Sequence, residues 1–314
     1  MKIFFEPWNL GDALIAASVA RVAPDRIVLA CSSRWHEVLR LGTNGNLRLY
    51  PLDLPYVWGR ARRGPFDFGD IAEQAVPFRE LLKGDLEIIS IRGDFRDWIA
   101  ARRLFPRARF SFTGWMPYLA RRSSLFDLPF RAGRVPIRNR YGAWASAAGI
   151  PMPTVEAAVP ILEVADNAPV AIHVGAQWRS KQYPHVVDVA RLLEQRGTAV
   201  TVVAGPEDPL PPGMPESKVL RPKWGALVDL FRGSRGVIAN DSGPMHLAAF
   251  LGCRTVALSR CSNLTEWLPP GVLELSSPLA PKGYRPVAEY WSDEVLPGWP
   301  APEEVVKAAM GEKK

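Results

Sequence analysis

What most narrows the fold is an alternation, made twice along the chain, of short continuous apolar runs with longer runs of helical periodicity. The second passage is the cleaner. PVAIHVGA (169–176) reads as a strand entering a loop, HVVDVARLLEQRG (185–197) as a helix with a glycine stop, and AVTVVAG (199–205) as a strand. WGALVDLFRGSR (224–235), GVIAND (236–241), GPMHLAAFLG (243–252) and CRTVALS (253–259) continue as helix, strand, helix and strand. In the first passage KIFFEP (2–7), RIVLACS (26–32), LRLYPL (47–52), LEIISI (86–91) and RFSF (109–112) read as strands. LGDALIAASVARV (10–22), DWIAARRLF (97–105) and YGAWASAAG (141–149) read as helices, the last stopped by Gly149 and Pro151. Near-continuous apolar strands spaced by helices mark a parallel sheet covered on both faces.

Two such blocks flank PTVEAAVPILEVADNAP (153–169). They predict an α/β protein of two Rossmann-like domains, residues 1–163 and 164–314, with parallel sheets facing across a central cleft. Open parallel sheets take ligands at the carboxyl ends of their strands, so the cleft is the expected site. APEEVVKAAMG (301–311) predicts a closing amphipathic helix that packs back on the first domain.

The 314 residues are 47% hydrophobic and 23% charged, which suits a globular protein. The apolar stretch before Glu6 is too short for a signal-peptide core, and no window is long enough to cross a bilayer. The expectation is a cytoplasmic protein, free to rest on the inner face of a membrane. Cys31, Cys253 and Cys261 lack metal-ligand spacing and read as free thiols. The net charge is +7, and between Arg92 and Arg140 twelve arginines stand against Asp94, Asp97 and Asp127. Arginine without lysine favours forked recognition of phosphate or carboxylate, here on an anionic partner. Arg102, Arg103, Arg107, Arg121 and Arg122 are the candidates. No nucleic-acid-binding module accompanies them, so no nucleic-acid partner is expected.

Three motifs carry chemistry. In IANDSGPMHLAAFLG (238–252) a strand ends at Asn240–Asp241 and a helix opens at Ser242–Gly243–Pro244, with Met245 and His246 in its first turn. Serine suits the cap and proline the first turn, and the head of the helix forms an anion site suited to a diphosphate. In NLGDALIAA (9–17) Gly11 permits a tight turn and Asp12 sits at a helix N-terminus, where the dipole favours its carboxylate. In HVGAQWRSKQYP (173–184) a strand end delivers Lys181, with Arg179 as a second cation. Glu207 follows another strand end, and Trp8 and Trp178 flank the loops as possible sugar contacts. His173 reads as a core histidine. No Asp-x-Asp pair is present to chelate a metal.

The string NDSGPMHLAAFLG resembles the signature of glycosyltransferase family 9, the ADP-heptose:lipopolysaccharide heptosyltransferases and their relatives. The resemblance implies a GT-B fold and inversion at the anomeric carbon without a metal or other cofactor. It also implies that the C-terminal domain binds the donor, ADP-heptose above all. Carried over, Asp12 is the general base, Lys181 neutralises the donor phosphates, and Glu207 lies near the donor ribose. Asp241, Ser242, Gly243, Pro244, Met245 and His246 form the diphosphate turn. The acceptor is an anionic glycan or glycolipid, with peripheral membrane contact. Two other readings stay open: a nucleotide-sugar epimerase or hydrolase on the same fold, and a non-catalytic, nucleic-acid-binding Rossmann scaffold.

Overall fold

The computed structural model describes residues 1–43, 45–58, 67–92, 94–112, 139–152, 164–165, 167–260, 264–279 and 293–312. The chain divides into two compact units, Met1–Pro153 and Thr154–Lys314, ahead of the expected 163/164 boundary.

The first unit is a parallel sheet of β1 (Lys2–Glu6), β2 (Ile27–Cys31), β3 (Leu49–Pro51), β4 (Glu87–Ser90) and β5 (Arg109–Phe112), in the order β3-β2-β1-β4-β5. β2 is buried along its whole length and β1 everywhere but Lys2, as continuous apolar strands covered on two faces must be. Around the sheet lie α1 (Leu10–Ala20), α2 (His36–Thr43), α3 (Ile71–Ala75), α4 (Phe95–Leu104) and α5 (Arg140–Ala148). One face holds Ile3, Phe5, Ile88, Phe105 and Phe110. On the other, Phe4 meets Trp144 with ring centroids 4.4 Å apart. Asn139 caps α5 by accepting from the Tyr141 and Gly142 amides. The expected stop, Gly149, ends it in the left-handed region at φ 63°.

The second unit is a parallel sheet of β6 (Val170–His173), β7 (Val200–Val203), β8 (Val219–Leu220), β9 (Gly236–Asn240), β10 (Thr255–Ser259) and β11 (Leu273–Ser276). Its order is β11-β10-β9-β6-β7-β8, a doubly wound sheet reversing direction between β6 and β9. The first sheet reverses in the same way between β1 and β4. The helices are α6 (Val186–Gln195), α7 (Trp224–Arg232), α8 (Gly243–Phe250) and α9 (Pro302–Met310). α9 packs inside this unit, against α6, β9 and β10. Its fully buried Val305 and Val306 each contribute about 1.5–3 kcal/mol of transfer free energy.

Cys31 and Cys253 are buried free thiols, as expected; Cys261 lies outside the described residues. Among the described residues no helix is long and apolar enough to cross a membrane.

Candidate active site

In the first unit the chemistry gathers at the carboxyl edge, where β1 and β4 diverge. β1 ends on Glu6, and Pro7–Trp8–Asn9 lead into α1. The expectation for Gly11 is corrected here. It lies in the first turn of α1 and is absent from the glycines with positive φ, so the tight turn is made by the three residues before the helix. Asp12 sits in that first turn, and two guanidinium groups stand beside its carboxylate. Arg92 Nη1 donates to Asp12 Oδ2 at 2.9 Å, and Arg140 Nη1 stands 3.7 Å from Oδ1. Arg92 follows β4 and Arg140 opens α5, so three crossovers deliver these side chains to one place.

Behind Asp12 stand two further acids. Glu6 is 1% exposed, with Oε1 3.8 Å from Arg92 Nη1. Burial first, and then the charge of Asp12, push its pKa well above the carboxylate range. Burial lowers the Arg92 pKa, but the charges of Asp12 and Glu6 outweigh it, leaving it raised. Arg92 also stacks on Trp8, 4.3 Å from the ring centroid. Trp8 Nε1 donates to Asp97 Oδ2 at 2.8 Å, and the Tyr56 hydroxyl donates to Asp97 Oδ1 at 2.7 Å. Burial raises the Asp97 pKa to about 7, against the opposing pull of those hydrogen bonds. Arg96 lies 5.0 Å from the Trp8 centroid, so guanidinium groups stack where a sugar contact was expected. An anchored chain therefore runs from Asp97 through Trp8 and Arg92 to Asp12.

Of the arginines expected to receive an acceptor, Arg102, Arg103 and Arg107 are not brought to this cluster. Arg102 and Arg103 lie in the last turn of α4 and Arg107 just before β5, at the amino edge of the sheet. The ten residues of α4 span about 15 Å between the two edges. Arg102 and Arg103 instead cover Phe110 and Phe68, with guanidinium carbons 5.3 and 4.8 Å from the ring centroids. Arg121 and Arg122 lie outside the described residues.

The second unit repeats the arrangement at the gap between β6 and β9. Lys181, in a short turn after β6, pairs with Asp241, just past β9, at 2.8 Å; the two side chains are 11% and 14% exposed. Beneath them Asn240, 1% exposed, joins the two loops. It donates to the Val174 carbonyl at 2.9 Å and accepts from the Tyr183 amide at 3.0 Å. Ser242 holds the cap position of α8, but its hydroxyl donates back to the Asn240 carbonyl at 3.2 Å and makes no cap bond. The Gly243 amide, followed by Pro244, thus heads α8 without a side-chain cap. Met245 is fully buried and His246 is 5% exposed, so both help to fix the helix in the unit. The Met245 amide donates to the Ser242 carbonyl.

His173 is the core histidine the sequence suggests. Burial lowers its pKa to about 4, and Nδ1 accepts from the Gly175 amide at 3.2 Å. Glu207 is exposed, whereas its neighbour Asp208 turns inward and accepts from the Gly205 amide at 2.7 Å. A Cβ at Gly175 would stand 1.6 Å from Asp208 Oδ2, so only glycine fits beneath that carboxylate. Arg179 Nε and Gln182 Nε2, flanking Lys181, are buried donors with no hydrogen-bond partner among the described residues. Among the described residues no group of three His, Cys, Asp or Glu could hold a metal ion.

Sequence reasoning missed Glu6, Arg92, Arg140, Asp97, Asn240 and Asp208. For Glu6 a signal was present: a carboxylate closing an otherwise apolar strand.

Two doubly wound units, each with a charged pair at its switch point, define the class, a GT-B-type α/β fold. Residues 145–274 match the model of glycosyltransferase family 9 (heptosyltransferase). Among solved structures, Escherichia coli ADP-heptose LPS heptosyltransferase II matches with a TM-score of 0.63 and 17% identity, over 98% of this chain and 97% of that one. A glycosyltransferase family 9 protein from Veillonella parvula matches with a TM-score of 0.62 and 16% identity, over 88% and 86%. The E. coli heptosyltransferase WaaC, solved with ADP, matches with a TM-score of 0.57 and 13% identity, over 89% and 94%. No curated protein matches by sequence. The family match covers residues 145–274, and the solved family 9 structures share the fold of the whole chain.

Proposed function

We propose that this glycosyltransferase moves heptose or a similar sugar, with inversion and without a metal, from a nucleoside diphosphate donor to a hydroxyl of an anionic glycan or glycolipid. The observation that carries the reading is the Lys181–Asp241 pair at the head of α8, inside the segment matching the family. A cation beside uncapped helix amides stabilises a departing diphosphate as its charge develops. The solved relative holding ADP makes an ADP-sugar the first donor to try.

Asp12 is the general base in this reading. The acceptor oxygen bonds to the anomeric carbon as the bond to the diphosphate breaks, and the acceptor proton passes to Asp12. Arg92 and Arg140 hold that carboxylate in place. Cytoplasmic placement and contact with a membrane surface belong to the same proposal, since the donor class is cytosolic and the acceptor class is a glycolipid.

A thermal-shift screen of ADP-, UDP-, GDP- and CDP-sugars tests the donor. The bound donor at 100 times its Kd should stabilise the protein by about 2.7 kcal/mol. Stabilisation by none of them would defeat the reading. Release of free nucleotide at full rate without acceptor would point to hydrolysis. Activity should survive excess EDTA.

A further inference from the structure

We infer that Arg179 is a second diphosphate-binding cation, supplying charge that the Lys181–Asp241 pair cannot. The inference rests on the donor reading above and adds a residue to that site. Arg179 and Lys181 share one short turn, Arg179–Lys181, beyond the carboxyl end of β6. Lys181 is already 2.8 Å from Asp241, and the charges of that pair sum to zero. A phosphate drawn to Lys181 therefore meets the Asp241 carboxylate as well, and like charges at that range repel. A diphosphate needs positive charge beyond this pair.

Arg179 is placed and unengaged in the way this requires. Elsewhere in the unit Arg191 pairs with Asp188, Arg196 with Glu312 and Arg221 with Glu216. Among the described residues Arg179 has no such carboxylate, and its Nε is shut from solvent with no hydrogen-bond partner. On the other side of Lys181, Gln182 is 3% exposed, and its Nε2 is also buried without a partner. Buried donors are nearly always satisfied in folded proteins. Two that are not, within four residues at a strand end, point to acceptor oxygens that the described residues do not supply. Arg179 can turn to such oxygens without breaking any existing pair, and its planar fork matches phosphate geometry.

Calorimetry with ADP, UDP and GDP on the wild type first identifies the nucleoside diphosphate bound. Arg179→Met should then weaken that nucleotide about 10- to 100-fold while the free nucleoside binds as before. Arg179→Lys should recover part of the loss, because it keeps the charge and not the fork. Melting temperature should hold in both, since Arg179 has no bond to lose; if the methionine variant fails to fold, Arg179→Gln takes its place. Equal nucleotide affinity in wild type and variant would overturn the role of Arg179 and leave the donor site standing. A wild type that binds none of the three would overturn the donor reading and this inference together.

Discussion

Arg92 Nη1 stands 2.9 Å from Asp12 Oδ2, tying the loop after β4 to the first turn after β1. Those strands are neighbours at the point where the first sheet reverses direction. Lys181 and Asp241 hold the corresponding places in the second sheet, after β6 and β9. Doubly wound sheets open a crevice there because the flanking helices leave on opposite faces. Each unit sets an acid–base pair across that crevice, in opposite sense: Asp12 follows the first strand of one unit and Lys181 that of the other.

Asp12→Asn should lower turnover about 100-fold or more, as loss of a general base does, with nucleotide affinity unchanged. Steady-state rates and calorimetry on one preparation check it. Unchanged turnover would remove Asp12 from the chemistry.

Arg92 is predicted to act through Asp12. Arg92→Met leaves Asp12 and buried Glu6 without their bridging charge, so it should destabilise the protein by about 3 kcal/mol and lower kcat. Arg92→Lys keeps the charge but loses the stacking on Trp8, so it should recover stability better than kcat. A lysine variant with wild-type kcat would show that only charge matters there.

Much of this architecture was legible in the sequence. The strand–helix alternation marked every strand of the first sheet and four of the six in the second, missing the edge strands β8 and β11, and the glycine of ASAAG stopped α5 where φ turns positive. Asp12, Lys181 and Asp241 were legible because motif and strand end coincide. Their partners were not. Arg92 and Arg140 sit in an arginine-rich passage whose members look alike, and only the topology sends these two to the carboxyl edge and Arg102, Arg103 and Arg107 to the amino edge. Asn240 reads as part of a motif, yet its work is to tie two loops whose meeting depends on the order of strands.

Asp97 predicts a pH dependence of stability. Its folded pKa of about 7 lies above the unfolded value of about 3.9, so between those pH values the folded state holds the extra proton. Its contribution is fully present below about pH 4 and is lost as pH rises to about 7, with an upper bound of about 4 kcal/mol. Asp97→Asn should abolish that share of the slope. Melting temperatures of wild type and variant from pH 4 to 8 check it; parallel curves would refute the assignment.

Asn240→Ala should cost about 2–4 kcal/mol, because it leaves the Tyr183 amide and the Val174 carbonyl without their partner. It should also weaken nucleotide binding, since the loops carrying Lys181 and Asp241 lose their common tie. A stable variant with wild-type nucleotide affinity would show that the loops need no such tie.

The last prediction separates the two edges of the first sheet. Arg102→Glu with Arg103→Glu reverses two charges at the amino edge, about 10–12 Å along α4 from its first residue at the carboxyl edge. That separation exceeds the Debye length at 0.15 M salt, about 8 Å, so the field of these groups at the carboxyl edge is largely screened. The double variant should keep wild-type kcat and acceptor KM at that ionic strength. It should lose at most about 1 kcal/mol of stability, from the helix C-terminus and the rings of Phe110 and Phe68. Arg96→Glu, at the carboxyl edge beside Trp8 and paired with Asp94, should by contrast raise acceptor KM. Kinetics of both variants against one acceptor, at 0.05 and 0.5 M salt, decide between the edges. A higher acceptor KM in the Arg102–Arg103 variant alone would place acceptor recognition at the amino edge.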